Sequence, residues 1–226
     1  VSIKTAQEDE DADLASALEF LRKQFPDQPI WSERLVSLLF NTGDMRKAMT
    51  ILEPIMIDDV KELRVQSVRK SAEAARLEGE SLRAIRILEK ALEAHPDDLS
   101  LLNNLIYTLT QVPEGLPRAR MLLPRLLNSG NNSFTILDTI AMVYLRSGDL
   151  DRARDFMDEA IRRLDDNDYS AAETRLNEAE LLFAMGRYEE ARVRTEAVRR
   201  RSEISGMLDA RAKRLLDEIR SQQGRI

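Results

Sequence analysis

The sequence contains no cysteine, which excludes disulfides, thiolate metal sites and cysteine nucleophiles together. Its single histidine, His95, rules out a multi-histidine metal site and leaves a histidine-based triad one candidate. Aromatic residues make up 5%, so the core must rest on Leu, Ala, Ile, Val and Met. Glycine and proline number 8 and 7 among 226 residues; that is too little turn punctuation for an all-β chain and suits a helical one. No apolar run approaches the roughly 20 residues that span a bilayer. No Gly-rich phosphate loop, GxGxxG or GxSxG is present. Lys and Arg number 34 against 40 Asp and Glu, a net charge of −6. Such a chain has no general attraction to phosphate backbones.

What the chain does have is small residues in a repeated order. Gly43 precedes Ala48 by five residues, and the same interval separates Gly79 from Ala84, Gly148 from Ala153 and Gly186 from Ala191. A degenerate case has Gly115 four residues before Ala119. The five alanines follow one another at 36, 35, 34 and 38 residues, and amphipathic helical patterns flank each pair. Small residues at Ala72 and Ala84 let two helices approach closely, with Leu88 filling the space beside them. Gly79 can take the left-handed conformation that ends a first helix. Pro96 lacks an N–H and disfavours helix in the residue before it, so it closes the second. Asp44 and Asp149 are placed as N-caps of second helices, and Ser170-Ala-Ala-Glu173 has the form of a capping box.

A helix–turn–helix unit of about 34 residues resembles the tetratricopeptide repeat, whose signature sets a large residue, Leu-Gly, Tyr, Ala, Phe and Pro at fixed intervals. The best match starts at Phe134. Leu137, Ile140, Ala141 and Tyr144 take the first-helix positions, Gly148 the turn, and Ala153, Met157 and Ala160 the second helix. Val68, Ser71, Ala72 and Ala75 precede Ala84, Leu88, Ala91 and Pro96 in a second unit. Leu102, Leu105, Ile106, Leu109, Ala119 and Leu123 form another. Leu35, Val36, Leu39, Ala48 and Leu52 form the first. The resemblance covers roughly residues 29 to 200. It implies an all-α, right-handed α-α superhelix of about twelve antiparallel helices. On this reading residues 1–10 are an acidic tail and 11–222 a single solenoid: a half-unit at 11–26 carrying Leu14, Leu18 and Leu21, about five units over 29–202, and a capping helix at 204–222.

Three places depart from the pattern. The turn Val112-Pro-Glu-Gly-Leu-Pro117 is longer, with Pro117 suited to the first helical position. Pro54 and Pro124 fall inside second helices and should kink or end them. Near the C-terminus Arg175 and Glu178 stand where apolar residues are expected, while Leu176, Ala179 and Phe183 make the better stripe, a shift of one in register.

Candidate chemistry is sparse. His95, before Pro96, reads as an exposed residue beside a helix C-terminus. Asp58-Asp59, Asp97-Asp98 and Asp165-Asp166 fall at unit junctions and read as helix starts. Asp165-Asp-Asn-Asp168 lacks the central Gly and bidentate Glu of a calcium loop. Arg192, Arg194, Arg199-Arg-Arg201, Arg211, Lys213 and Arg214 form a basic stretch. It is interspersed with Glu196, Glu203 and Asp209 and has no interleaved aromatics for base stacking, so it reads as a solvated face. No enzyme activity, cofactor, metal or nucleic acid is expected.

The resemblance places a binding groove along the first helices. The row facing it is Ile30, Glu33, Ser37 and Phe40; Gln66, Arg69, Glu73 and Arg76; Ser100, Asn103, Tyr107 and Thr110; Thr135, Asp138, Met142 and Leu145. Arg69, Arg76, Asn103, Tyr107, Asp138 and Met142 are the expected partner-binding residues, with Tyr107 and Met142 as exposed large side chains. A mixed row of this kind suits an extended or helical peptide. Acidic Glu33, Glu73 and Asp138 beside Arg69 and Asn103 oppose the carboxylate-holding role that some family members have. The expected function is a non-catalytic protein-binding module. The alternative is a spacer or self-associating segment of a larger bacterial envelope or secretion assembly. The chain starts at Val1 rather than Met and reads as a fragment of a longer bacterial protein, with no signal that names a compartment.

Overall fold

A computed structural model of the chain describes residues 2–42, 47–48, 50–51, 65–77, 79–165, 170–200 and 206–223. All regular structure among them is helical. The helices are α1 (Ser2–Gln24), α2 (Pro29–Asn41), α3 (Val65–Leu77), α4 (Ser81–Ala94), α5 (Leu99–Leu109) and α6 (Leu116–Leu127). They continue as α7 (Phe134–Arg146), α8 (Leu150–Arg162), α9 (Ala171–Ala184), α10 (Tyr188–Arg199) and α11 (Gly206–Gln223). Residues 47, 48, 50 and 51 are also helical, where a further second helix is expected. The acidic stretch at the start is therefore the opening of α1 rather than a separate tail.

The chain divides into two compact units, 1–104 and 105–226, with α5 crossing the division. In the first unit α1 packs on α2, α3 on α4, and α2 on α3. In the second, α6 packs on α7, α7 on α8, α8 on α9, α9 on α10 and α10 on α11. There α7 also touches α9, and α9 touches α11, so first helices line up beside one another.

Three turns between paired helices share one construction. Gly148 N donates to Leu145 O at 3.0 Å and Asp149 N to Tyr144 O at 3.0 Å. Gly79 and Glu80 do the same with Arg76 and Ala75, and Gly186 and Arg187 with Phe183 and Leu182. This is the Schellman arrangement, and it needs a left-handed residue; Gly148 has φ +80°. Gly115 serves differently. A side chain there would meet the Leu109 carbonyl at 2.1 Å, so glycine permits close approach.

The expected core is the observed core. Ala72, Ala75, Ala84, Leu88, Ala91, Ala119, Ala141, Ala153, Met157 and Ala160 are all buried. Tyr144 stacks on Phe156 at 5.6 Å between ring centroids, joining α7 to α8. Leu176 and Ala179 are buried, which confirms the shifted register in α9.

Local chemistry both follows and departs from expectation. Asp149 caps α8 by accepting from Arg152 N at 3.2 Å, and Asp98 caps α5 through Ser100 N and Leu101 N at 2.9 Å each. The capping box at Ser170 does not form: Ser170 is in the right-handed helical region and its side chain makes no cap hydrogen bond. Pro124 does not end α6, which continues to Leu127. It faces solvent, where water can replace the hydrogen bond it removes. Pro117 is at the second helical position, one beyond the position expected. Gly43, Asp44, Leu52, Pro54, Asp58 and Asp59 lie outside the described residues.

Gly148→Ala should destabilise the protein by about 1–2 kcal/mol, from backbone strain alone, because a Cβ there meets nothing within 4 Å. Gly148→Asn should lose less, since Asn tolerates the left-handed region better. Urea unfolding of the three proteins measures both.

Candidate functional site

The expected binding row separates into two parts with different chemistry. In the C-terminal unit its members are buried except the half-buried Thr135, and two of them are drawn together. Tyr107 of α5 donates to Asn177 Oδ1 of α9 at 3.2 Å. Asn177 Nδ2 donates to both carboxylate oxygens of Asp138, on α7, at 3.0 and 2.9 Å. Arg211 of α11 completes the cluster. Its Nε donates to Glu180 at 2.6 Å, its Nη1 lies 3.3 Å from the Tyr107 hydroxyl and 3.4 Å from Glu173, and its Nη2 bonds Asn177 Oδ1. Arg146 holds the other oxygen of Glu180 at 2.6 Å.

Adjacent first helices make this convergence possible. α7, α9 and α11 lie side by side; α7 contributes Asp138 and Arg146, α9 Asn177, Glu173 and Glu180, and α11 Arg211, with Tyr107 reaching in from α5. Three carboxylates in a buried space are tolerated because each meets donors. Burial raises Glu180, but Arg211 and Arg146 beside it outweigh burial and hold it below the usual carboxylate range. Asp138 goes the other way. Burial pushes it up to about 7, against hydrogen bonds from Asn177 and Thr174, and Glu173 adds to the rise.

Met142, expected to be exposed, is 0% exposed and belongs to the core with Leu137, Ala141 and Met157. Tyr107, also expected to be exposed, is buried in the cluster. Neither offers its side chain to solvent.

The N-terminal unit differs. Arg69 and Glu73 of α3 and Ser37 of α2 are partly exposed, while Glu33, Arg76 and Asn103 are buried. Two polar atoms of the row, Arg69 Nε and Asn103 Oδ1, are buried with no hydrogen-bond partner among the described residues, as are Glu19 Oε2, Arg22 Nε and His95 Nε2 elsewhere in this unit and Glu178 Oε2 of α9. The side chains of Phe40 and Gln66 lie outside the described residues.

Other candidates resolve into ordinary structure. His95 is the C-cap of α4 and is partly buried rather than exposed; its N–H donates to Ala91 O. In the basic stretch Arg192 pairs with Glu189 and Glu196, Arg194 with Glu178, Arg199 with Asp209, and Lys213 with Asp209. A pocket of about 230 Å³ is floored by Met157, Leu181 and Leu182 and rimmed by charged side chains, among them the pairs Arg187–Glu190 and Arg194–Glu178. No group of His, Asp and Glu among the described residues could hold a metal ion, and no described helix is long and apolar enough to cross a membrane.

The sequence reading missed Asn177, Glu173, Glu180 and Arg211. Asn177 follows Asp138 by 39 residues and precedes Arg211 by 34, close to the repeat period. That interval was the available signal, blurred by the one-residue shift in α9. Arg211 was absorbed into the basic stretch, from which burial alone separates it.

Residues 132–203 match the family model of the tetratricopeptide repeat. Solved structures resemble the chain over most of its length. A tetratricopeptide repeat protein from Parabacteroides merdae is 17% identical, with TM-score 0.63, covering 96% of this chain and 90% of that one. A thermophilic protein of the same kind from Thermus thermophilus is 18% identical, with TM-score 0.61, covering 84% and 99%. YrrB, named as having an unusual peptide-binding site, is 18% identical, with TM-score 0.54, covering 88% and 99%. At such identities the likeness is one of fold. No curated protein sequence matches the chain.

Because folded Asp138 holds its proton up to about pH 7 and an unfolded one only to about 3.8, the folded state binds the extra proton between those values. Stability from this group is full below about pH 3.8 and is lost as pH rises through about 7. Asp138→Asn should flatten that part of the profile. Thermal melts of both proteins from pH 4 to 8 provide the comparison.

Proposed function

We infer that this chain, a tetratricopeptide-repeat protein, works as a protein-interaction scaffold, and we propose that it binds a peptide segment along the first helices of its N-terminal unit. The observation that carries the proposal is that Ser37, Arg69 and Glu73 of the row are partly exposed while two of its polar atoms, Arg69 Nε and Asn103 Oδ1, have no partner among the described residues. A buried donor or acceptor left unsatisfied costs about 1–3 kcal/mol. A peptide backbone carries both the acceptor and the donor that would recover that cost. The partly exposed Ser37 and Glu73 flank this stretch and would meet the partner's side chains.

The C-terminal row is a poorer candidate for direct contact. Tyr107 and Asp138 already satisfy one another through Asn177 and Arg211, and Met142 packs in the core. In this proposal they hold α5 and α7 in place rather than touch the partner. YrrB supports the reading to the extent that a protein of this fold, similar over 88% of this chain, is named for a peptide-binding site.

Peptides selected by display against the intact chain supply the ligand for a test. Arg69→Glu and Asn103→Ala should each weaken the selected peptide at least about tenfold, a loss of about 1.4 kcal/mol. Asn103→Ala removes an unsatisfied acceptor, so its thermal midpoint should stay level or rise. Unchanged affinity in both variants would remove the N-terminal row as the site.

A further inference from the structure

The pocket between α8, α9 and α10 lies wholly within the C-terminal unit. Met157 lines it from α8, and Leu181, Leu182 and Met185 from α9. Met157, Leu181 and Leu182 are buried and Met185 is half-buried. The floor is therefore apolar and, at its two methionines, adaptable. Two ion pairs brace the walls. Arg187 donates to both carboxylate oxygens of Glu190, at 2.7 and 2.6 Å, at the start of α10. Arg194 Nε reaches from α10 to Glu178 Oε1 of α9 at 3.2 Å. The volume of about 230 Å³ is below the roughly 300–1,000 Å³ of sites that hold drug-sized molecules. It leaves room for one side chain and a few waters, each of which takes about 30 Å³ in the liquid.

The charges around this floor are not evenly matched. Each arginine of the rim already has an anion: Arg187 has Glu190, Arg194 has Glu178, and Arg154 lies 3.6 and 3.7 Å from Asp151 and Asp155. Carboxylate capacity is left over. Asp158, beside Met157 on α8, is exposed and makes no hydrogen bond or ion pair among the described residues. It shares only in the charge of Arg187, which Glu190 holds first and Asp158 and Glu178 after it. Glu178 gives one oxygen to Arg194. Its other oxygen, Oε2, is buried without a hydrogen-bond partner, the one such side-chain atom among the described residues of this unit. A buried acceptor without a donor is destabilising. An anionic ligand would compete with Glu178 and Glu190 for their arginines. A cation would meet what the carboxylates have left.

We propose that this pocket receives a lysine side chain of a partner protein, with its alkyl stem on Met157, Leu181 and Leu182 and its ammonium at the edge formed by Asp158 and Glu178. Lysine suits both halves of the site. Its stem lies along apolar surface while its head stays at a polar edge. Its three N–H donors rotate freely, so one ammonium can serve carboxylates from two helices, here α8 and α9. The two ion pairs hold the walls in place before the ligand arrives, which lowers the ordering cost of binding. All of these residues differ from those of the N-terminal row, and neither proposal rests on the other.

Nuclear magnetic resonance of the intact chain with isotope-labelled methionine methyls tests the proposal, because Met157 and Met185 both line the pocket. Met157→Leu and Met185→Leu assign the two signals. The probe is Nα-acetyl-lysine methylamide. It should shift both signals with a dissociation constant in the millimolar range and leave Met121, on α6, unmoved. Nα-acetyl-norleucine methylamide has the same stem without the ammonium. It should bind about fivefold more weakly, as loss of a partly exposed charge pair predicts. Asp158→Asn and Glu178→Gln should each weaken the lysine probe about threefold and leave the norleucine probe unchanged. Asp158 is exposed, so Asp158→Asn should melt close to wild type. Four results would overturn the proposal. The lysine probe shifts neither methionine; lysine and norleucine bind equally, which marks a merely apolar pocket; neither variant changes affinity; or n-butylammonium binds where the blocked lysine does not, which assigns the site to a free amine.

Discussion

Close approach of paired helices at alanine is the constraint from which the rest of the structure follows. Ala84, Ala119, Ala153 and Ala191 are completely buried where a second helix meets its neighbours. A larger residue at any of them would push two helix axes apart and open a gap along the whole contact. Close axes bring the first helices α7, α9 and α11 side by side. That spacing lets Asp138, Asn177 and Arg211 reach one another. The glycine turns serve the same end, since a Schellman turn reverses the chain in few residues and leaves no slack between paired helices.

Much of this was legible in the residue order, because apolar and small positions leave a periodic trace. Gly79, Gly148 and Gly186 mark turns, and the alanines five residues later mark contacts; local stereochemistry decides both. Caps were less legible. Asp149 caps its helix and Ser170 does not, although both precede apolar helices, because the Ser170 backbone has already turned helical. Burial of polar side chains was least legible. Arg211 and Lys213 look alike in sequence, yet one is buried and the other exposed. The difference comes from which face of α11 meets α9, a tertiary fact. The binding row shows the same limit. Neither the burial of Tyr107 and Met142 nor the orphaned atoms of Arg69 and Asn103 could be read from spacing.

The two units divide the work of polar groups differently. In the C-terminal unit, polar side chains on the first helices are spent on each other, and the cluster ties residues as far apart as Tyr107 and Arg211. Most of the buried polar atoms left unsatisfied among the described residues are in the N-terminal unit, five against the one at Glu178 Oε2 in the C-terminal unit. A fold made of similar pairs can thus hold a self-satisfied region and a receptive one, with side-chain identity rather than backbone geometry deciding which is which.

The Tyr107–Asn177–Arg211 cluster also bears on how such a chain can change in length over evolution. Where helix pairs are joined only by apolar stacking, each pair sees only its neighbours, and one can be duplicated or deleted at little cost. Here α5, α7, α9 and α11 contribute to one indivisible set of hydrogen bonds. Inserting a pair among them would carry Arg211 out of reach and strand Asp138 and Glu180 in the interior. Duplications should therefore be tolerated in the N-terminal unit and counted out between α5 and α11, which makes the cluster a molecular tally of how many pairs lie between those two helices.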